Sequence, residues 1–342
     1  MSELPEAVEA VVRGFAPERV VRVEEPSVGL LAYVVLDSTA LGPAAGGVRT
    51  ARYRSEAEAV HDACRLARAM TYKCALGGLD AGGGKAVVML DEALDRARAF
   101  ELLGERVEAL GGAFRTAGDL GTTAEDLAAM ARRTGYVHTD TPRLAASVGR
   151  GVLRCVEACV ELAERRVRGL RVAVQGCGDI GAAVAGALAA EGAELLVADL
   201  DPDRARAIAE RTGATVVAPE EVLRAAVDVV SPCAVGGAID EDAAGALRAW
   251  AVCGGANHVV ASEAVDATLH RLGIAFVPDV LSSAGAVIDG VGLTVMGLAD
   301  RTPLIDALGD TARAVLAASR RDGRPPAVHA RERAEARIAS GR

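Results

Sequence analysis

Aromatic side chains make up only 3% of this 342-residue chain. A core so poor in rings has to be built mainly from Ala, Val and Leu, which suits helices packed closely on a buried parallel sheet. The chain also lacks a long charge-free apolar run, so no membrane span is expected. Its first ten residues, MSELPEAVEA, are acidic and have neither the basic start nor the apolar stretch of a secretory leader, so a cytoplasmic protein is expected. Paired C-x-x-C spacing is missing too. Cys64, Cys74, Cys155, Cys159, Cys177, Cys233 and Cys253 are scattered and odd in number, and they read as reduced thiols. Cys155 and Cys159 would share a helix face, but no adjacent histidine or second pair completes a site, so no metal is expected. There is no excess of positive charge. A net charge of −9, with basic residues interspersed among acids, argues against nucleic acid or an acidic membrane surface as partner.

What is present is the profile of a globular protein, half apolar and a quarter charged, at a length that suggests two domains. Residues 78–88, GLDAGGGKAVV, resemble a phosphate-gripping P-loop at first sight. That loop requires G-x-x-x-x-G-K-[ST], yet the first glycine position is Leu79 and the residue after Lys85 is Ala86. The run therefore reads as a glycine loop that presents a lysine and leads into a strand at 86–90. Before it, the pattern predicts a helix at 5–14, strands at 20–23 and 30–36, a turn at 41–47, and a helix at 55–70. Ser55 and Glu58 supply a capping box for that last helix. After it come a helix at 93–110, a strand at 113–116 and a short helix at 123–133. Alternating strands and helices make residues 1–143 an α/β domain.

A helix at 145–166 feeds a strand at 171–175 that runs into Gly176-x-Gly178-x-x-Gly181. A small-residue helix follows, beginning Asp179-Ile180, then a strand at 194–197 ending near Asp199. Strand before, helix after and acid on the next strand form the context that makes G-x-G-x-x-G a dinucleotide-binding unit. Gly176 allows the tight turn, Gly178 lets the backbone approach a pyrophosphate, and Gly181 lets helix and sheet pack closely. The helix N-terminus supplies N–H groups and a positive dipole end for phosphate. Asp199 suits the ribose hydroxyls and repels a 2′-phosphate, so NAD is expected over NADP. Further strand-like runs at 215–217, 227–230, 249–253 and 274–277 complete a Rossmann-type, doubly wound sheet over 144–324. A C-terminal helix of about 325–342 is expected to pack back on the first domain.

The segments LGPAAGGVR (41–49), ARAMTYKCALGGLDAGGGKAVV (67–88), TAGDLGTT (116–123), VQGCGDIG (174–181), PCA (232–234), GGANH (254–258) and VPDVLSSAGAVI (277–288) together resemble the glutamate/leucine/phenylalanine/valine dehydrogenase family, most nearly its leucine and phenylalanine branch. The resemblance covers most of the chain. It implies an N-terminal α/β substrate and oligomerisation domain, a Rossmann NAD domain and a cleft between them, in a homo-oligomer. It implies reversible NAD-dependent conversion of an apolar or aromatic L-amino acid into a 2-oxo acid and ammonia. Lys73 would hold the substrate carboxylate, helped by backbone N–H groups at Gly46 and Gly47. Lys85 would be the catalytic lysine and Asp119 its acidic partner. Ala117 would line the substrate pocket, with Ser283 on its far wall. Cys233, Ala234, Ala256 and Asn257 would join the glycine loop around NAD. The chemistry agrees: water must attack an iminium carbon, which needs a base near neutrality, and a desolvated lysine beside a second cation moves that way. Asp119 can shuttle protons to and from the leaving amine.

The chain departs from the family pattern at three places. Ser283-Ala284-Gly285-Ala286 stands where the family has an asparagine before Ala-Gly-Gly. The interdomain segment is short, with Leu144 at the place of a threonine. Gly118 replaces a glutamate. Two other readings accompany these departures: a divergent oxidoreductase that forms or reduces imines, and a non-catalytic NAD-binding homologue.

Overall fold

The computed structural model describes residues 4–139 and 144–341. The boundary expected at 143/144 adjoins residues 140–143, which lie outside the described residues. The chain divides into two compact units. One takes the described residues of Met1–Pro142, Val291–Leu298 and Glu335–Arg342, and the other those of Arg143–Gly290 and Ala299–Ala334.

The first unit runs α1 (Glu6–Phe15), β1 (Arg19–Glu25), β2 (Leu30–Ser38), β3 (Ala44–Ala51), α2 (Glu56–Leu76), β4 (Gly82–Met89), α3 (Arg96–Glu108), β5 (Phe114–Gly118) and α4 (Ala124–Ala131). Its sheet has the order β1-β2-β4-β3-β5. The β1–β2 and β2–β4 pairs are antiparallel, and β4–β3 and β3–β5 are parallel. Alternation along β2 splits the core. Val34 and Leu36 point to the α3 side with Phe100, Leu103 and Phe114. Tyr33 and Val35 point to the α1 and α2 side with Val60, Ala63 and Val87. Ser55 caps α2 by accepting from Glu58 N. Only half of the expected capping box forms, because the Glu58 carboxylate takes the Arg54 N–H instead.

Two local expectations are corrected here. Residues 44–51 form a strand, β3, where a turn was expected from 41–47. The run Gly82-Gly83-Gly84 is the start of β4, not a loop. Glycine normally signals a turn, but these glycines answer a packing demand. A Cβ on Gly82 would overlap the Ser38 carbonyl, one on Gly83 the Thr71 amide, and one on Gly46 the Gly84 carbonyl. A Cβ on Gly84 would come within 2.8 Å of the Phe114 ring. The glycines thus bring β3, β4 and α2 together at backbone distance. α2 also runs past residue 70 to Leu76, which places Lys73 in its last turn. Carbonyls in that turn and just after it are held by Arg337, which donates to Cys74 O (3.1 Å), Ala75 O (2.8 Å) and Leu79 O (2.9 Å).

The second unit begins with α5 (Leu144–Leu162), β6 (Arg171–Gln175), α6 (Asp179–Ala190), β7 (Glu194–Ala198), α7 (Pro202–Thr212) and β8 (Thr215–Val216). It continues through β9 (Val229–Pro232), α8 (Glu241–Ala246), β10 (Ala251–Val252), α9 (Glu263–Arg271), β11 (Ala275–Phe276), α10 (Asp279–Ser282), α11 (Gly285–Thr294), α12 (Thr302–Asp322) and α13 (Pro326–Ser340). The last residues of α11 and α13 belong to the first unit. The strand order is β11-β10-β9-β6-β7-β8, and every pair is parallel. The chain winds outward from β6 in one direction and from β9 in the other. That order is the Rossmann arrangement, with its switch point between β6 and β9.

Buried in α9, Asp266 has an Oδ1 without a hydrogen-bond partner among the described residues. Burial, with Glu263 nearby, pushes its carboxyl up from 3.8 to about 6, against the pull of His270. A raised folded value means that the folded protein holds this proton more tightly than the unfolded chain. Stability is therefore lost as pH rises from about 4 to about 6. Asp266→Asn removes the penalty. The expected gain is about 1–3 kcal/mol at pH ~7 and close to nothing at pH ~4. Calorimetric melting at the two pH values reads it, and an equal gain at both would discard the explanation.

Candidate active site and dinucleotide site

On the α2 side of the first sheet, β4 carries Lys85, and its side chain is almost wholly buried. Its amine forms an ion pair with Asp119 Oδ2, just beyond the end of β5. The other Asp119 oxygen accepts the Leu120 N–H at 2.6 Å. The strands hold this pair in place through their glycines. Gly47 stands beside Lys85 across the strands, one residue before the Val48–Ala86 pair, and is itself paired with Ala117 of β5. A Cβ on Gly47 would come within 2.9 Å of the Asp119 Cβ. Lys85, Gly46, Gly47 and Ala117 are thus gathered on three adjacent strands, with Asp119 just past the end of the third. Lys73 lies buried in the last turn of the neighbouring α2.

The structure adds Arg49 to this group, a residue not singled out in the sequence. Arg49 Nη2 lies 3.4 Å from the same Asp119 Oδ2 that takes Lys85. Its Nη1 donates to Asp62 Oδ2 on α2 at 3.0 Å. Asp62 also accepts from Tyr53 (3.0 Å) and Arg65 (2.6 Å). Burial pushes the Lys85 amine below its ordinary value; Asp119 pulls it back up and Arg49 presses it down again. Burial pushes the Asp119 carboxyl up, but Lys85 and Arg49 outweigh it and leave the group below its ordinary value. The site therefore contains an amine made easier to deprotonate, beside a carboxylate held ionised.

One signal for the lysines was present in the sequence. Of 38 basic residues only two are lysine, Lys73 and Lys85; all the rest are arginine. Arginine stays charged at any working pH and carries a broad fork, whereas lysine is a compact charge that can lose its proton. A chain that uses arginine at every other cationic position marks these two as places where arginine does not serve.

In the second unit the remaining candidates meet at the carboxyl ends of the strands. Gly176 has φ 91°, and a Cβ there would lie 2.7 Å from that of Ala234. Gly178 opens α6 with no side-chain cap, and a Cβ on it would meet nothing. A Cβ on Gly181 would overlap the Gly176 carbonyl, so α6 sits directly on the loop. Asp179 and Ile180 form the first turn of α6. Asp199 follows β7 and accepts from Cys177 N (2.6 Å) and Asp201 N (2.8 Å). Burial raises its carboxyl, but those N–H groups and Arg204 bring it below its ordinary value. Cys233 leaves β9 with its N–H on Gln175 O (2.7 Å), and Ala234 follows. Ala256 N donates to Pro232 O (3.0 Å), one residue before Asn257. Ser283 follows α10, at the edge of this loop cluster. Its hydroxyl donates to Asp279 O at 2.6 Å and reaches Asn257 Oδ1 at 3.4 Å.

An acid after the second strand and a glycine turn at the switch point define the class: a nicotinamide-dinucleotide domain, here joined to a second α/β unit. Residues 138–239 match the NAD binding domain of D-isomer specific 2-hydroxyacid dehydrogenases. Residues 17–136 match the Glu/Leu/Phe/Val dehydrogenase dimerisation domain, and residues 202–291 match the Glutamate/Leucine/Phenylalanine/Valine dehydrogenase domain. The valine dehydrogenase of Streptomyces coelicolor is 38% identical over 341 residues, covering 95% of this chain and 93% of that protein. The leucine dehydrogenase of Bacillus cereus is 34% identical over 334 residues, covering 94% and 91%. The crystal structure of L-tryptophan dehydrogenase from Nostoc punctiforme matches with a TM-score of 0.87 at 32% identity, covering 97% of this chain and 99% of that one. The chain belongs to the Glu/Leu/Phe/Val dehydrogenase family. Among the described residues, no helix is long and apolar enough to cross a membrane, and no cluster of His, Cys, Asp or Glu is arranged to hold a metal.

Proposed function

We propose that this protein is an NAD-dependent dehydrogenase that oxidatively deaminates an apolar or aromatic L-amino acid to a 2-oxo acid and ammonia, and runs the reverse reaction. The observation that carries the reading is the buried Lys85 amine paired with Asp119 and pressed by Arg49. NAD supplies the hydride acceptor for the substrate Cα. The uncapped start of α6 at Gly178, with open space where a side chain would stand, fits its pyrophosphate, and the Asp199 carboxylate fits its ribose. Lys73 holds the substrate carboxylate as a fixed point charge. Asp119, ionised at rest, takes a proton from the substrate ammonium before hydride leaves Cα. Neutral Lys85 then takes a proton from the water that adds to the imine carbon, and Asp119 returns its proton to the departing amine. Backbone N–H groups at Gly46 and Gly47 help hold the substrate carboxylate, and Ala117 on β5 lines the side-chain pocket. The names of the relatives support leucine, valine and tryptophan as the first substrates to try. Copies of the chain associate through residues 17–136, the stretch that matches a dimerisation domain.

The test is NADH formation, followed by its near-ultraviolet absorbance, across a panel of L-amino acids. Turnover of leucine, valine, phenylalanine or tryptophan supports the reading. Turnover only of an amine that is not an amino acid replaces it with the imine oxidoreductase. NAD binding with no turnover of any substrate leaves a non-catalytic homologue.

A further inference from the structure

We propose that Arg49 is a positioning residue that sets the proton balance of the Lys85–Asp119 pair. The inference rests on the catalytic reading of that pair given above. Asp119 Oδ2 is a shared acceptor, taking the Lys85 amine on one side and Arg49 Nη2 on the other, so the two cations are held against each other across one oxygen. Asp62 fixes the far end of the guanidinium, and Tyr53 and Arg65 in turn fix Asp62. Arg49 is thus clamped between two carboxylates on two elements and cannot swing away when Lys85 changes charge. It is largely buried, and its Nε has no hydrogen-bond partner among the described residues. Its field therefore acts through protein rather than through water.

The charge count of the cluster gives the sign. Lys85, Arg49 and Arg65 are the cations, Asp119 and Asp62 the anions, and Tyr53 is neutral. With Lys85 protonated the cluster carries one excess positive charge, and loss of the Lys85 proton brings it to neutrality. Without Arg49 the protonated cluster is already neutral, and losing the proton would leave a buried negative charge. Removing Arg49 therefore makes Lys85 hold its proton, and makes Asp119 hold one more readily as well. Burial would lower the Arg49 charge affinity, but Asp119 and Asp62 raise it, so Arg49 remains a cation throughout.

The chain itself makes this measurable, because Lys85 and Lys73 are its only lysines. Acetic anhydride labelling of the full-length protein across a pH series, without substrate or NAD, reads the Lys85 titration from a single peptide by mass spectrometry. In Arg49→Gln the labelling midpoint is expected to move up by about one pH unit. The pH profile of kcat/KM should move the same way, while Arg49→Lys restores much of the shift. Arg49→Met carries the same test should the glutamine variant fail to fold. An unmoved Lys85 midpoint in the substituted protein overturns the proposal even if turnover falls, since that pattern is mere structural damage. Should the wild type prove inactive on every amino acid, the proposed function fails, while the labelling still decides the role of Arg49.

Discussion

Lys85→Ala is expected to lose roughly a thousandfold or more in kcat, the scale that a positioned proton-transfer group contributes. NAD affinity should stay at the wild-type level, because the glycine turn and Asp199 belong to the other compact unit. The sharper comparison is Lys85→Arg. Arginine keeps the positive charge and can still pair with Asp119, but it does not release a proton at any usable pH. If the amine at residue 85 served only to hold a substrate charge, arginine would keep much of the activity. If it is the base, arginine should be nearly as inactive as alanine. The surroundings favour the second outcome. Burial and Arg49 both work against the protonated amine, an arrangement that would be self-defeating for a residue required to stay charged. Steady-state kinetics of both variants, with NAD binding measured separately by calorimetry, decides the matter. A Lys85→Arg protein with near-normal kcat would overturn the assignment.

Legibility in the sequence followed how local each signal was. The β6–α6–β7 unit was readable almost residue for residue, because strand, glycine turn, helix and acid follow one another along the chain. Tight turns and close helix packing at Gly176 and Gly181 are demands that the chain makes on its near neighbours. Arg49 was different. Its meaning comes from Asp62 and Asp119, which lie far from it in sequence and reach it only when β3, β5 and α2 assemble. The glycines of β3 and β4 were misread for the same reason. Alone, a glycine run is most economically a loop, and only the Thr71 amide, the Ser38 carbonyl and the Gly84 carbonyl reveal why side chains are excluded. Lysine scarcity was the one non-local signal that a residue count could have supplied.

Gly83→Ala puts that correction to the test. A Cβ at residue 83 would overlap the Thr71 backbone amide, the Thr71 hydroxyl and the Ala67 carbonyl, all on α2. Two of the three are backbone atoms, which cannot rotate aside as a flexible side chain can. α2 would have to lift from β4. That movement would strain the buried Thr71–Asp37 hydrogen bond (2.6 Å) and the Arg68–Asp37 ion pair beside it. It would also shift the helix that bears Lys73 relative to the strand that bears Lys85. The expected cost is about 3 kcal/mol, at the upper end for overpacking, which lowers the melting temperature by roughly 6–10 °C. Gly186→Ala is the matched control. Gly186 lies within α6, and a Cβ there would meet nothing, so the change should be neutral or stabilise by about 0.4–1 kcal/mol through the unfolded chain. If the glycine run were instead a clearing that admits substrate to the lysine, Gly83→Ala would melt like the wild type and show its defect in KM. A large loss of melting temperature at residue 83, with none at residue 186, identifies the glycines of β4 as the residues that let α2 and its lysine reach the sheet.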